Sequence, residues 1–265
     1  MPKIGLRFGE VQADEMIPPM ETIADEVENN RIFGKTGSQH GVAMSSSEEE
    51  YTIGDDYIFA RYVHEVPQER TEISDGEVVL AEGNVARIMH FLLTRDGDYA
   101  YESVDRVYDD HALEYFIGDD SFEIDFECNR YNRFTRDQMR EFYSNAFRVR
   151  GMKLKEIGER DRNGTSVSDE VADYIENAGE NTVRSEFSTG QKDKNLKGPD
   201  IIDGFGQLSE IDYIRIKDSE GEINEAYNDG RYTMSYSTDT NLSDLGGKVR
   251  DTISTVTTGL TRVDD

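Results

Sequence analysis

Residues 57–104, YIFARYVHEVPQERTEISDGEVVLAEGNVARIMHFLLTRDGDYAYESV, decide the class of fold. Three strand-like runs, DYIFARYVHEV, EVVLA and NVARIMHFLLT, are rich in β-branched and aromatic residues and hold no helical period. RDGD stands between HFLLT and YAYESV, and Asp96-Gly97 is the dipeptide preferred in two-residue hairpin turns, where positive φ is needed. Consecutive strands joined by short turns make an antiparallel meander. The expected class is therefore α+β, an antiparallel sheet with interspersed helices.

Working outward, KIGLRF alternates Ile4, Leu6 and Phe8 as a short strand. IPPMETIADEVENN has prolines suited to a helix start, with Ile23 and Val27 one turn apart. Residues 34–50 carry no period and read as a loop. DDHALEYFIGDD reads as a short helix, and FEIDFEC alternates Phe122, Ile124, Phe126 and Cys128 with Glu123, Asp125 and Glu127. Ser168 caps a second helical pattern, DEVADYIENAG, and TVRSEFS follows as a strand. EIDYIRIKD and RYTMSYS read as strands joined through YNDG. The Thr-rich end reads as a docking helix or a tail, so the expected layout is one α+β domain over 1–238 followed by 239–265.

A formal net charge of −27 on 265 residues makes a chain repel itself unless salt screens it, and screening shortens from about 10 Å at 0.1 M to about 3 Å at 1 M. Twenty Arg stand against nine Lys. Abundant acids with scarce Lys resemble the cytoplasmic proteins of salt-accumulating haloarchaea, a resemblance of habitat that implies a halophilic, acidic protein. An acidic surface then reports the solvent and does not exclude nucleic acid as a partner. One cysteine, Cys128, excludes an intramolecular disulfide framework. The first residues hold no apolar leader and no run approaches the roughly 18 residues that span a bilayer, so the cytoplasm is expected, with no membrane partner.

Against this background, residues 129–155, NRYNRFTRDQMREFYSNAFRVRGMKLK, hold eight Lys or Arg and two acids, a balance of +6, while the rest of the chain sums to −33. Thr135 and Gln138 form a capping box, and Met139, Phe142, Tyr143 and Ala146 recur at helical spacing, which predicts a helix over 136–147. At 100° per residue Arg136, Arg140, Tyr143 and Phe147 share one flank, and Asp137, Glu141 and Ser144 the other. RVRGMKLKEI then reads as a strand with Gly151 at a bulge, Met152 and Leu154 inward, and Lys153 and Lys155 outward. With Arg130, Arg133, Arg148 and Arg150, these cations beside aromatic rings have the composition that binds phosphates and stacks bases. The competing reading is charge balance, since exposed ion pairs contribute only about 0–1 kcal/mol each and carry no function.

Other motifs are weaker. Glu123, Asp125 and Glu127 could hold Mg²⁺ as a nuclease or phosphodiesterase site, but alternating acids are also an ordinary solvated strand face. The histidines 40, 64, 90 and 111 show no paired metal-ligand spacing, and His90 reads as a hydrogen-bonded residue in an apolar strand. GKTGS at 34–38 lacks the upstream glycine of a phosphate loop, and GFG at 204–206 lacks the third glycine of a dinucleotide fingerprint. The expected role is a non-catalytic binding or accessory subunit, without cofactor, that contacts nucleic acid or an acidic partner through 129–155. The alternatives are a metal-dependent nuclease and a structural or assembly protein.

Overall fold

Runs that alternate in the sequence pair antiparallel in the computed structural model, which is mostly antiparallel strand with a few helices. It describes residues 2–13, 17–29, 32–33, 39–42, 51–74, 76–103, 126–131, 133–155, 184–189, 194–197, 210–219 and 221–257. The chain divides into two compact units, one of Met1–Leu6, Tyr131–Thr238 and Val256–Asp265, the other of Arg7–Arg130 and Asp239–Thr255.

The second of these contains most of β1 (Lys3–Ala13), α1 (Met20–Asn29), β2 (Ile32–Phe33), β3 (His40–Val42), β4 (Tyr51–Ile53), β5 (Tyr57–Ser74), β6 (Glu77–Thr94), β7 (Asp98–Glu102) and β8 (Phe126–Arg130). Strands run in the order β1-β7-β6-β5-β3-β2, with β4 also on β5 and β8 on β1. The fold-deciding stretch differs from its reading in two ways. EVVLA and NVARIMHFLLT are one strand of 18 residues, paired throughout with an equally long β5, from Tyr57↔Thr94 to Ser74↔Glu77. Glu82-Gly83-Asn84, polar and without period, could not be seen as strand because its partners Glu69, Gln68 and Pro67 are far away in sequence. The RDGD link is a three-residue loop, for Leu93 pairs with Tyr99 and Gly97 has φ 95°. Gly97 also accepts a hydrogen bond from the Val11 amide at 2.8 Å. β3 lies inside the stretch expected to be loop, and the expected helices around 109–120 and 168–179 fall outside the described residues.

Both faces of the proximal β5–β6–β7 sheet are buried. Ile58, Ala60, Tyr62, Met89, Phe91, Leu93, Tyr99 and Tyr101 pack with Met20, Ile23 and Ala24 of α1. Phe59 and Leu92 belong to the opposite face, where α3 (Leu242–Thr257) brings Gly246 so close that an added Cβ would stand 3.0 Å from Phe59 Cβ. Arg250 of α3 donates to Asp56 through Nε at 2.9 Å and again through Nη2, and this bond holds its guanidinium above its ordinary pKa. His90 stacks on Phe59 at 5.4 Å and shares a hydrogen bond of 2.7 Å with Glu102, which explains a histidine in an apolar strand.

In the first unit, α2 (Arg136–Asn145), β9 (Arg148–Lys155), β10 (Arg184–Ser188), β11 (Glu210–Lys217), β12 (Ile223–Tyr227) and β13 (Tyr232–Ser235) join residues Lys3–Leu6 of β1. The order is β10-β9-β11-β12-β13-β1. β12 was missed in the sequence because INEAY buries only Ala226 and so lacks a clear alternation. Met152, Ile214, Ala226 and Tyr232 lie side by side in register and are buried, and α2 covers this face with Met139 and Phe142, the latter 5.7 Å from the Tyr232 ring.

Candidate nucleic-acid interface

The helix of the basic stretch is set by its cap. Thr135 Oγ1 accepts from the Gln138 amide at 3.2 Å, and Gln138 Oε1 accepts from the Thr135 amide at 2.7 Å. Gln138 is buried and its Nε2 donates to the Val256 carbonyl at 2.7 Å, so one side chain satisfies groups on two segments. The helix stops at Asn145, two residues short of the expected end. Ala146 turns extended at ψ 133°, and Lys197 Nζ donates to the terminal carbonyls of Ser144 and of Ala146, the latter at 2.9 Å. Phe147 is therefore not on the helical flank with Arg136, Arg140 and Tyr143. It stands in the link to β9, 57% exposed, with the Arg148 guanidinium 5.4 Å from its ring centre.

β9 begins against residues 194–197. The Val149 amide donates to Asn195 Oδ1 at 2.8 Å, and Leu196 donates back to the Val149 carbonyl at 2.9 Å. Arg150 Nη2 donates to the Thr189 carbonyl at 3.3 Å. A register shift opposite Arg215 and Ile216 leaves Arg150 unmatched on β9, which places the irregularity beside Gly151 as the sequence suggested. After it Met152 and Leu154 are buried and Lys153 faces the other way.

That other face carries a row from β10 to β12. Glu186, Lys153, Tyr213 and Tyr227 are neighbours in register. Lys153 Nζ lies 3.4 Å from Glu186 and 5.5 Å from the Tyr213 ring; the tyrosine rings are 4.9 Å apart, and Arg231 stands 4.1 Å over Tyr227. Tyr227 donates to Glu225 at 3.1 Å, and Glu225 also pairs with Lys3 at 3.3 Å and Arg215 at 3.5 Å. Burial, and next the charge of Glu225, push both hydroxyls above their usual pKa, so these rings are neutral phenols at physiological pH. A shallow cleft of about 330 Å³ opens here, lined by both tyrosines, Lys153, Asn228, Glu186, Asp212 and Asp229. Three acids around one lysine suit charge balance better than a phosphate.

The ten expected cationic and aromatic residues are thus divided. Phe147 and Arg148 lie together where β9 begins, and Arg150 follows two residues on, bonded to Thr189. Lys153 belongs to the sheet face opposite α2, because Tyr213 and Tyr227 alternate with buried Ile214 and Ala226. Arg136, Arg140 and Tyr143 are half-buried on α2, and Arg133 is exposed ahead of it. Arg130 pairs with Gly9 in the other unit, and only the backbone of Lys155 is described. Lys197 was overlooked; its signal was the small basic cluster Lys192, Lys194 and Lys197 in a Gly-rich stretch. Glu123 and Asp125 lie outside the described residues, as does the Glu127 side chain, and no cluster of potential metal ligands occurs among those described. No described helix is long and apolar enough to cross a membrane. Compared with known protein families and with curated proteins, the chain matches none of either.

Proposed function

We propose that the chain is a non-catalytic binding or accessory protein of a salt-adapted cytoplasm that contacts nucleic acid through its basic segment, with an acidic protein surface as the other class of partner. The observation that carries the reading is Phe147, exposed beside the Arg148 guanidinium in a segment of +6, with Arg150 and Lys197 at the same end of β9. A ring offers a stacking face and the guanidinium a phosphate partner, the two elements of sequence-tolerant single-strand binding. The α+β class and the meander over 57–104 agree with β5, β6 and β7 pairing in chain order.

Anisotropy of a labelled single-stranded oligonucleotide tests it. Replacing Arg136, Arg140, Arg148 and Arg150 by Gln should abolish binding with the circular dichroism unchanged. Each cation removed from a phosphate should flatten the slope of log affinity on log salt by about 0.7. A quadruple variant that binds like the parent refutes the assignment.

A further inference from the structure

Beyond Val66 and Val85 the β5–β6 ribbon changes character. Among the described residues its backbone pairs only with itself from Pro67↔Asn84 to Ser74↔Glu77, and a lone two-stranded ribbon is marginal in water. On one face the register stacks three rungs, Ile73–Val78, Thr71–Leu80 and Glu69–Glu82. Ile73 is 80% exposed and Val78 and Leu80 72% each, whereas Phe147 alone among the described residues of the other unit is a large exposed hydrophobic. Residues 67–84 hold five acids and one base.

The Glu69–Glu82 rung is the informative one. Like charges directly opposite across an antiparallel pair destabilise it, and no hydrogen bond or ion pair reaches either carboxylate among the described residues. A groove of about 600 Å³, lined by Pro67, Gln68, Glu69, Glu82, Gly83 and Asn84, opens beside them. A cation entering there would relieve the repulsion while apolar surface covered Leu80 and Ile73, one and two rungs away at about 7 Å per rung. Phe147 and Arg148 present that pair, a ring and a guanidinium 5.4 Å apart.

We infer that the β5–β6 arm docks on a second copy of this chain, Ile73, Val78 and Leu80 packing on its Phe147 while Glu69 and Glu82 take its Arg148. The inference rests on the proposed function only for the cationic surface, and names the acidic partner as the chain's own arm. In a two-fold dimer the contact occurs twice. Eight residue pairs make an arm about 26 Å long and about 10 Å wide, or about 260 Å² on one face, so two arms and the surfaces they cover bury about 1,000 Å², at the lower end of specific interfaces. Nucleic acid and the arm then compete for Arg148.

Charge exchange tests it, with mass measured by sedimentation at the lowest salt at which the parent stays folded. The parent should rise toward twice the monomer mass with concentration. Arg148→Glu alone, and Glu69→Arg with Glu82→Arg alone, should each remain monomeric, because each places like charges in the contact. Mixing the two variants should restore the dimer, since every contact then joins opposite charges. Glu69 and Glu82 are exposed and Arg148 is half-buried; circular dichroism confirms folding, and Leu80→Ser, also expected to be monomeric, serves if a charge variant unfolds. A monomeric parent, variants that associate as the parent does, or a mixture that stays monomeric overturns the inference. The arm variant keeps every residue of 129–155, so its oligonucleotide binding should equal or exceed the parent's. Loss of binding in the four-arginine variant with this exchange failing separates the two readings.

Discussion

Gly97 and Gly76 both occupy the left-handed region, at φ 95° and 85°, but their surroundings differ. A Cβ on Gly76 meets nothing within 4 Å, whereas one on Gly97 would lie 2.8 Å from the Val11 carbonyl oxygen and 3.2 Å from Ile17 Cδ1. Gly76→Ala therefore costs the conformational term alone, about 1–2 kcal/mol. Gly97→Ala adds a backbone clash of about 1–3 kcal/mol. Retreating from it stretches the bond from the Val11 amide to the Gly97 carbonyl, worth about 1 kcal/mol. The total for Gly97→Ala is about 3–6 kcal/mol, some 2–4 kcal/mol beyond Gly76→Ala. Urea unfolding at fixed molar KCl, followed by circular dichroism, compares the two through their midpoints at constant m-value. Equal losses would refute the close approach of Val11 to the β6–β7 turn. If neither substitution costs stability, the positive φ values are wrong as well.

Two further outcomes follow from charge and burial. Lowering KCl from molar to physiological should lower the melting midpoint by several degrees, because self-repulsion at −27 loses its screening while the core is unchanged, and a midpoint indifferent to KCl sinks the halophilic reading. Burial first, then nearby acids, raise the hydroxyl pKa of Tyr213, Tyr227 and Tyr232 in the folded chain, so the unfolded chain releases these protons first, near pH about 10. Their contribution is complete below that pH and lost as pH rises toward the folded values; melting across the alkaline range should show a falling midpoint that Tyr232→Phe makes shallower, and a flat parent profile contradicts it.

The strongest local signals were legible because their physics is local. Thr135 and Gln138 announce a helix start through bonds three residues apart, and the Ile4, Leu6, Phe8 alternation needs only the pleat of its own strand. β5 and β6 were visible as strands for the same reason. Their extent was not, because Gly83 becomes strand only through Gln68, and EGN carries no apolar face to announce it.

Contacts between distant segments stayed hidden, since hydrophobic period records which face is buried but not by what. Nothing near Gln138 indicates that its amide holds the Val256 carbonyl, or near Gly97 that Val11 lies against it. The same apolar residues along β5–β6 are buried at Phe59 and Leu92 and bare at Ile73 and Leu80, because α1 and α3 reach one end of the ribbon. The basic stretch was a count of charges along the chain. Only tertiary structure ended α2 before Phe147, brought Lys197 to its last carbonyls and turned Lys153 to the opposite sheet face, because the side a cation occupies depends on the elements packed around its strand.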